Sequence, residues 1–405
     1  MDSVTLLHGN CLDVLPTLPA QSVHCVVTSP PYFGLRDYGS SQWVGGDPAC
    51  DHKPPTRQGR TGDRAGRSNT TEQNGVYADA CPRCGARRVT QEIGSEATPD
   101  DYVAALVTVF REVKRVLRDD GVVFLNLGDS FGGKQLLGIP FRVAFALQAD
   151  GWILRSDIVW SKPNCMPESV KDRPTKAHEY VFLLSKQGRY FYDSDAIKEP
   201  AVNGEKYHGG QNDASVLSRT RHRNGRSDDN NRTATRNARS VWAIPTSPFS
   251  ARSVGIEDVD HFAVMPPKLV EPCVLAGTSE RGVCPTCGAP WVRVVEREAI
   301  IRPRPDGATR ERDRGGRTDG FTKMPNGIAG TSVETVGWQP SCACGGEPVP
   351  ATVLDPFCGA GTVGLVSVQH GRHFIGIDLN ARYLEIARRR IEKAAPVLPL
   401  LMTGD

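Results

Sequence analysis

Apolar residues fall into short runs that alternate with segments of helical spacing along most of the chain. Val4 to Leu7 reads as a strand, Cys11 to Leu18 as a short helix, and Val23 to Thr28 as a second strand that delivers Ser29-Pro30-Pro31-Tyr32 at its C-terminal end. From Asp101, apolar positions at Val103, Leu106, Val107, Phe110, Val113 and Leu117 predict an amphipathic helix that Gly121 ends. Val122 to Leu127 reads as a buried strand, Phe141 to Leu147 as helix, Trp152 to Trp160 and Glu179 to Leu184 as further strands. The last unit is strand Thr352 to Asp355, a glycine-rich turn, helix Thr362 to His370, strand Phe374 to Asp378 and helix Ala381 to Ala394. This alternation predicts one α/β domain.

Three stretches break the pattern. Residues 39 to 80 are rich in Gly, Pro and Arg, residues 199 to 240 are polar and basic, and residues 278 to 350 interrupt the last units. One domain with three insertions accounts for this better than several independent domains.

Composition adds bounds. A chain of 405 residues can bury a substantial core, and 39% hydrophobic with 23% charged residues is ordinary for a soluble protein. A net charge of +3 does not by itself imply nucleic acid. The N-terminus has no signal-peptide pattern, and no stretch approaches the roughly 18 apolar residues of a membrane span. A cytoplasmic protein with no membrane partner is expected.

The twelve cysteines are clustered. Cys50 and His52 with Cys81 and Cys84 offer four ligands suited to tetrahedral zinc, and Cys284, Cys287, Cys342 and Cys344 offer four more. Two structural zinc ions are expected, with buried or inert thiols as the competing reading. Neither set leaves an open position for catalysis.

In Asp355-Pro356-Phe357-Cys358-Gly359-Ala360-Gly361-Thr362 an apolar strand enters a turn with two glycines, which lets backbone approach a ligand at the sheet edge. Asp378, at the end of the next strand, can accept both hydroxyls of a ribose. The turn lacks the full dinucleotide fingerprint, which argues against a nicotinamide or flavin. An ordinary tight βα turn is the alternative.

In the other half, Pro30 and Pro31 stiffen the loop, the Ser29 hydroxyl and Pro30 carbonyl can accept from an exocyclic amine, and Tyr32 can stack on its ring, with Phe33 helping to line the pocket. Holding both N–H groups would aim the nitrogen lone pair at an electrophilic methyl, so catalysis would be orientation and electrostatics. A rigid Pro-Pro turn is the competing reading.

With these segments the chain resembles the S-adenosylmethionine-dependent DNA amino-methyltransferases, which methylate adenine N6 or cytosine N4. Ser29-Pro30-Pro31-Tyr32 matches the family's (D/N/S)-P-P-(Y/F) catalytic motif and Asp355 to Thr362 its D-P-F-x-G-x-G-T cofactor motif, in the β-class order. Asn126 to Ser130, Trp160 to Asn164 and His178 to Phe182 are further matches. The resemblance implies a Rossmann-like class I methyltransferase sheet with inserted zinc-knuckle segments and a target-recognition region. It implies cofactor contacts from Asn10 (where the family commonly has Asp), Asp355, Phe357, Cys358, Gly359, Gly361, Thr362 and Asp378, and from Pro266 and Leu269 in a helix beside the methionine end.

The implied layout is a catalytic half over 1–48, a zinc-binding insertion over 49–90 and the continued methyltransferase domain over 91–198. A basic target-recognition region over 199–257, a cofactor-side helix over 258–277, a second zinc-binding insertion over 278–350 and a cofactor-binding half over 351–405 complete it. Arg221, Arg223, Arg226, Arg232, Arg236 and Arg239 could neutralise phosphates or read base edges, with a solvated loop as the alternative.

Serine at the first motif position is similar to the cytosine-N4 enzymes, with adenine N6 as the alternative. Cytosine C5 chemistry needs a thiolate nucleophile, and Cys273 reads instead as buried. Double-stranded DNA is the expected partner, and a homodimer or a cognate restriction endonuclease is compatible with the sequence. An RNA or protein-glutamine methyltransferase and a non-catalytic zinc-containing DNA-binding protein are the other classes that the residues leave open.

Overall fold

The computed structural model describes residues 3–34, 42–51, 80–89, 92–200, 235–256, 264–301 and 328–394. It divides into two compact units. The larger takes in residues up to Asp193, Arg239–Val292 and the chain from Pro340 onward; the smaller takes in Ser194–Ala238 and Arg293–Gln339.

The larger unit is built on an eight-stranded sheet. Its strands are β1 (Val4–His8), β2 (Val23–Thr28), β3 (Leu117–Leu127), β4 (Ile153–Ser161), β5 (His178–Ser185), β6 (Val241–Ala243), β7 (Thr352–Asp355) and β8 (His373–Asp378). Their spatial order is β1-β8-β7-β2-β3-β5-β4-β6. Strand β5 runs antiparallel to both β3 and β4, and every other neighbouring pair is parallel. The chain leaves the centre of the sheet after β2 and re-enters beside it as β7, so β2 and β7 flank a crevice at their carboxyl ends. In open α/β sheets such a switch point is where ligands bind.

The helices are α1 (Cys11–Val14), α2 (Pro99–Val116), α3 (Ile139–Ala149), α4 (Pro267–Gly277), α5 (Thr362–Gln369) and α6 (Ala381–Ala394). Thr98 caps α2 by accepting from the Asp101 amide at 3.2 Å, with Pro99 at the first helical position. The apolar stripe of α2, including Tyr102, Leu106, Phe110 and Val113, is buried in a core shared with Leu125, Leu127 and Phe182. The helix ends at Val116 rather than at Gly121, because the chain enters β3 at Leu117 and pairs there with Val23. Gly121 is therefore a strand residue. Cys273 is buried in α4, 1% exposed, as expected for a core thiol.

In the smaller unit Glu199–Pro200 pairs with Thr235–Arg236, and most of the two-stranded sheet formed by Trp291–Ile301 and Ile328–Pro340 lies there. No helix among the described residues is long and apolar enough to cross a membrane.

Candidate active site

The two motif turns leave adjacent strands. Val353 and Leu354 of β7 pair with Cys25 and Val26 of β2, so Asp355 and Thr28 reach the same sheet edge. There the Thr28 hydroxyl donates to Asp355 Oδ1 at 2.7 Å and the Phe357 amide donates to the same oxygen at 3.0 Å. Burial raises the Asp355 carboxyl to about 7, against the pull of these two donors and with a push from the neighbouring Asp378.

Asp378 fixes the cofactor-type turn from the next strand. Its Oδ2 accepts from the Gly359 amide at 2.7 Å and its Oδ1 from the Asn380 amide at 2.8 Å. Burial raises this carboxyl as well, although both amides favour its charged form. Gly361 starts α5 in the left-handed region at φ 71°, and a Cβ there would lie 2.6 Å from Ala387 Cβ, so it lets α5 and α6 approach. Arg390 of α6 donates to the Ala360 carbonyl at 3.1 Å and to Thr362 Oγ1 at 2.8 Å.

The Ser29–Tyr32 turn is pinned from three sides. Tyr102 of α2 donates to the Pro31 carbonyl at 2.9 Å, Ser130 to the Phe33 carbonyl at 2.7 Å, and the Gly34 amide to the Gly94 carbonyl at 2.9 Å. The Tyr32 ring packs on Gly128, where a Cβ would fall 2.5 Å from Tyr32 Cε2. Phe33 departs from the expectation that it lines the pocket: it packs against Tyr102, with centroids 5.7 Å apart, as part of the core.

Behind Ser29 lies a polar cluster. Tyr32 Oη donates to Glu179 Oε2 at 2.7 Å, and Ser29 Oγ donates to Tyr32 Oη at 3.3 Å. Asn126 Nδ2 faces Tyr32 Oη at 2.6 Å, Glu179 Oε2 at 3.0 Å and Ser29 Oγ at 3.3 Å. Lys162 forms an ion pair with Glu179 Oε1, and its ammonium sits 4.4 Å from the Trp160 ring centroid. Burial and the Glu179 charge push the Tyr32 hydroxyl well above its ordinary value, so it stays a donor.

Both turns open into one cavity of about 820 Å³, within the range of small-molecule sites. Its walls include Ser29, Pro30, Pro31 and Tyr32 on one side and Asn10, Phe357, Cys358, Gly359, Thr362 and Asp378 on the other. Asn10 also caps α1, accepting from the Leu12 amide at 3.0 Å. Pro266 and Leu269 are not among the lining residues. Pro266 caps α4 and Leu269 is 1% exposed, while Val264 and Met265 of the same segment reach the cavity. Gly361 does not line it either.

No local pattern in the sequence singles out Thr28, Lys162 or Glu179. Lys162 and Glu179 lie in matched segments, but only the antiparallel register of β4 and β5, with Trp160 opposite Glu179, brings them together.

The cysteines converge as two clusters. The Sγ atoms of Cys284, Cys287, Cys342 and Cys344 lie within 4.8 Å of one another, as do those of Cys50, Cys81 and Cys84. The Cys50 and Cys81 sulfurs are 3.8 Å apart. A tetrahedron with Zn–S bonds of ~2.3 Å has edges of about 3.8 Å, so the thiol spacing fits that ion. In both knuckles the glycine after the second cysteine of the C-x-x-C pair has positive φ, and its amide donates to the first cysteine's carbonyl at 2.8 Å. His52 lies outside the described residues.

Of the predicted DNA-contacting arginines, Arg221, Arg223, Arg226 and Arg232 lie outside the described residues. Arg236 pairs with Glu199 at 3.2 Å, and the Arg239 carbonyl accepts from Trp242 Nε1 at 2.8 Å.

A switch-point crevice in which the Ser29–Tyr32 turn stands beside a glycine turn backed by Asp355 and Asp378 defines a class I methyltransferase fold. The chain belongs to the N6/N4 family of DNA methylases, S-adenosylmethionine-dependent enzymes whose family model matches residues 23–284 and 348–389. It is similar to the Type II methyltransferase M.Cfr9I of Citrobacter freundii, 30% identical over 97% of this chain and 89% of the relative. The Type II methyltransferase M.SmaI of Serratia marcescens is 31% identical over 96% of this chain and 91% of its own length. Among solved structures, the cytosine-N4-specific PvuII DNA methyltransferase shares the fold, with a TM-score of 0.50 at 15% identity over 96% of this chain and 88% of that one.

Proposed function

We propose that this enzyme methylates cytosine N4 within a specific site of double-stranded DNA. The observation that carries the reading is the shared cavity, with Ser29 at its inner wall and hydrogen-bond donors beside it. The amine is inaccessible inside a duplex, so the base enters this cavity flipped out of the stack. Ser29 Oγ and the Pro30 carbonyl accept its two amine hydrogens, and Tyr32 supports its ring.

Next to its amine, cytosine presents two acceptors, N3 and O2, whereas adenine presents N1 and a C–H. The Lys162 ammonium, which has protons beyond the one shared with Glu179 and lines the cavity, suits the first pattern.

S-adenosylmethionine, when bound, supplies the electrophilic methyl. Asp378 would hold the ribose hydroxyls, Phe357 and the Cys358–Gly359 backbone would pack on the nucleoside, and Asn10 would bond near the adenine. Asp355 would act chiefly by stiffening the turn, since both its hydrogen bonds are to protein groups.

Cys284, Cys287, Cys342 and Cys344 would hold one structural zinc, and Cys50, Cys81 and Cys84 with His52 a second, each tying down an insertion. Residues 199–257 would read the target. The relatives' designation as Type II methyltransferases supports a companion endonuclease.

The test is incubation with labelled cofactor and DNA, followed by digestion to nucleosides and chromatographic identification. N4-methylcytosine is expected, with Ser29→Ala abolishing its formation while cofactor binding persists. N6-methyladenine would overturn the choice of base, and absence of any N-methyl product with intact protein would overturn the function.

A further inference from the structure

The polarity of the hydrogen bonds behind Ser29 has a chemical consequence that rests on the function proposed above. Asn126 Nδ2 can only donate. Turning its amide over would place Oδ1 at 3.0 Å from the Glu179 carboxylate, oxygen against oxygen, so Glu179 fixes the orientation. Oδ1 is then left buried without a hydrogen-bond partner among the described residues.

Since Tyr32 Oη and Ser29 Oγ both face this donor, their own hydrogens must point elsewhere. Tyr32 donates to Glu179 Oε2 at 2.7 Å, and Ser29 donates to Tyr32 Oη at 3.3 Å. Every O–H in the chain thus points away from the cavity and toward one carboxylate. The free lone pair of Ser29 is left for the substrate.

We propose that Ser29, Tyr32 and Glu179 form a hydroxyl relay that carries the proton released by the methylated amine to Glu179. On transfer, the bond from sulfonium sulfur to methyl carbon breaks as the amine lone pair forms the new N–C bond, and the nitrogen becomes cationic. That nitrogen gives one hydrogen to Ser29 Oγ, the Ser29 hydrogen passes to Tyr32 Oη, and the Tyr32 hydrogen passes to Glu179 Oε2. Charge balances, because a cation and a carboxylate become two neutral groups. Tyr32 need never become a phenolate if the hops are concerted, in keeping with a hydroxyl that resists ionisation.

The groups facing Glu179 suit this role. Lys162 of β4 forms an ion pair with the carboxylate from the opposite side, 18% and 15% exposed respectively. Among the described residues, the neutral Asn126 of β3 and Tyr32 of the turn after β2 also bond it. Among the cavity's other titratable groups, His178 on β5 meets the Tyr180 hydroxyl at 3.2 Å, and Asp129 pairs with Lys176 at 3.5 Å. Glu179 acts through Tyr32 and Ser29 and positions their hydrogens in the resting enzyme.

The test uses the full-length enzyme in single-turnover methyl transfer across a pH series, with Glu179→Gln and Tyr32→Phe singly and together. The expected result is a fall of about 100-fold or more in the transfer rate for each single variant, the scale of lost general-base help. The double variant should be no slower than the worse single one, and the acid limb of the wild-type pH profile should vanish in Glu179→Gln. Glu179→Asp should restore part of the rate and the acid limb. Cofactor affinity, measured on each variant, should stay near wild type, and circular dichroism should show each variant folded at the assay temperature. Wild-type rate and pH profile in Glu179→Gln, or losses that multiply in the double variant, would overturn the relay. That result would leave the proposed function standing so long as Ser29→Ala is inactive, whereas a wild-type enzyme that yields no N-methyl product overturns the function itself.

Discussion

Thr28 Oγ1 lies 2.7 Å from Asp355 Oδ1, a buried hydrogen bond that joins the strand bearing the amine turn to the strand bearing the cofactor turn. It ties together two motifs that lie at opposite ends of the sequence. Thr28→Val keeps the shape and removes the donor. A loss of about 0.5–1.5 kcal/mol in urea unfolding is expected, the net worth of one hydrogen bond, since the Phe357 amide still donates to the same oxygen. Calorimetric titration should show weaker cofactor binding as the turn loosens.

Asp355 makes stability fall as pH rises towards neutrality. Burial raises its carboxyl from 3.8 to about 7 in the folded protein. Between those values the folded chain holds a proton that the unfolded chain has released, so this group's contribution to stability falls as pH rises through the window. Asp355→Asn should remove that slope. Melting temperatures without cofactor, taken from pH 4.5 to 8, should show the variant gaining on the wild type as pH rises. A constant difference between the two proteins would contradict the assignment.

Gly128 is expected to be intolerant because of Tyr32. A Cβ at 2.5 Å from Tyr32 Cε2 must displace the ring. Gly128→Ala should therefore cut methyl transfer at least tenfold while leaving cofactor affinity near wild type, since the cofactor turn is built from other strands. Equilibrium binding of the cofactor beside a tritium-transfer assay separates the two effects.

Gly361→Ala should act on stability instead. Its positive φ and the 2.6 Å approach to Ala387 Cβ combine backbone strain with a helix–helix clash. A loss of more than about 1 kcal/mol is expected by denaturant titration, accompanied by weaker cofactor binding.

The cysteine clusters predict two zinc ions per chain by elemental analysis of protein purified without chelator. Cys344→Ser and Cys50→Ser should each remove one. Chelation should expose the insertions to protease before it affects the strands of the main sheet. A metal-free preparation with twelve titratable thiols would favour inert cysteines instead.

The order of strands and helices was legible along the chain because each buries one face, and burial leaves a period in the sequence. The amphipathic stripe of α2 and the apolar runs of β2, β3 and β7 are clear examples. The end of α2 was misplaced because Gly121 looks like a terminator, whereas Leu117 already pairs with Val23 across the sheet. Phe33 looked like a pocket residue because it follows Tyr32, yet the turn rotates it onto Tyr102. Neither outcome is encoded within a few residues of the position concerned.

Both motif turns and the cysteine sets could be named from sequence alone, since glycine, paired prolines and C-x-x-C spacing declare their backbone and ligand chemistry locally. Family membership followed from the motifs occurring together. Only the tertiary structure set Thr28 against Asp355, and only the antiparallel pairing of β4 with β5 set Lys162 and Glu179 behind Ser29. Those contacts join residues far apart in the chain, and their energy depends on strand order and register, which no local pattern specifies. The sequence determined that an amine would be held; the fold decided which carboxylate stands behind it.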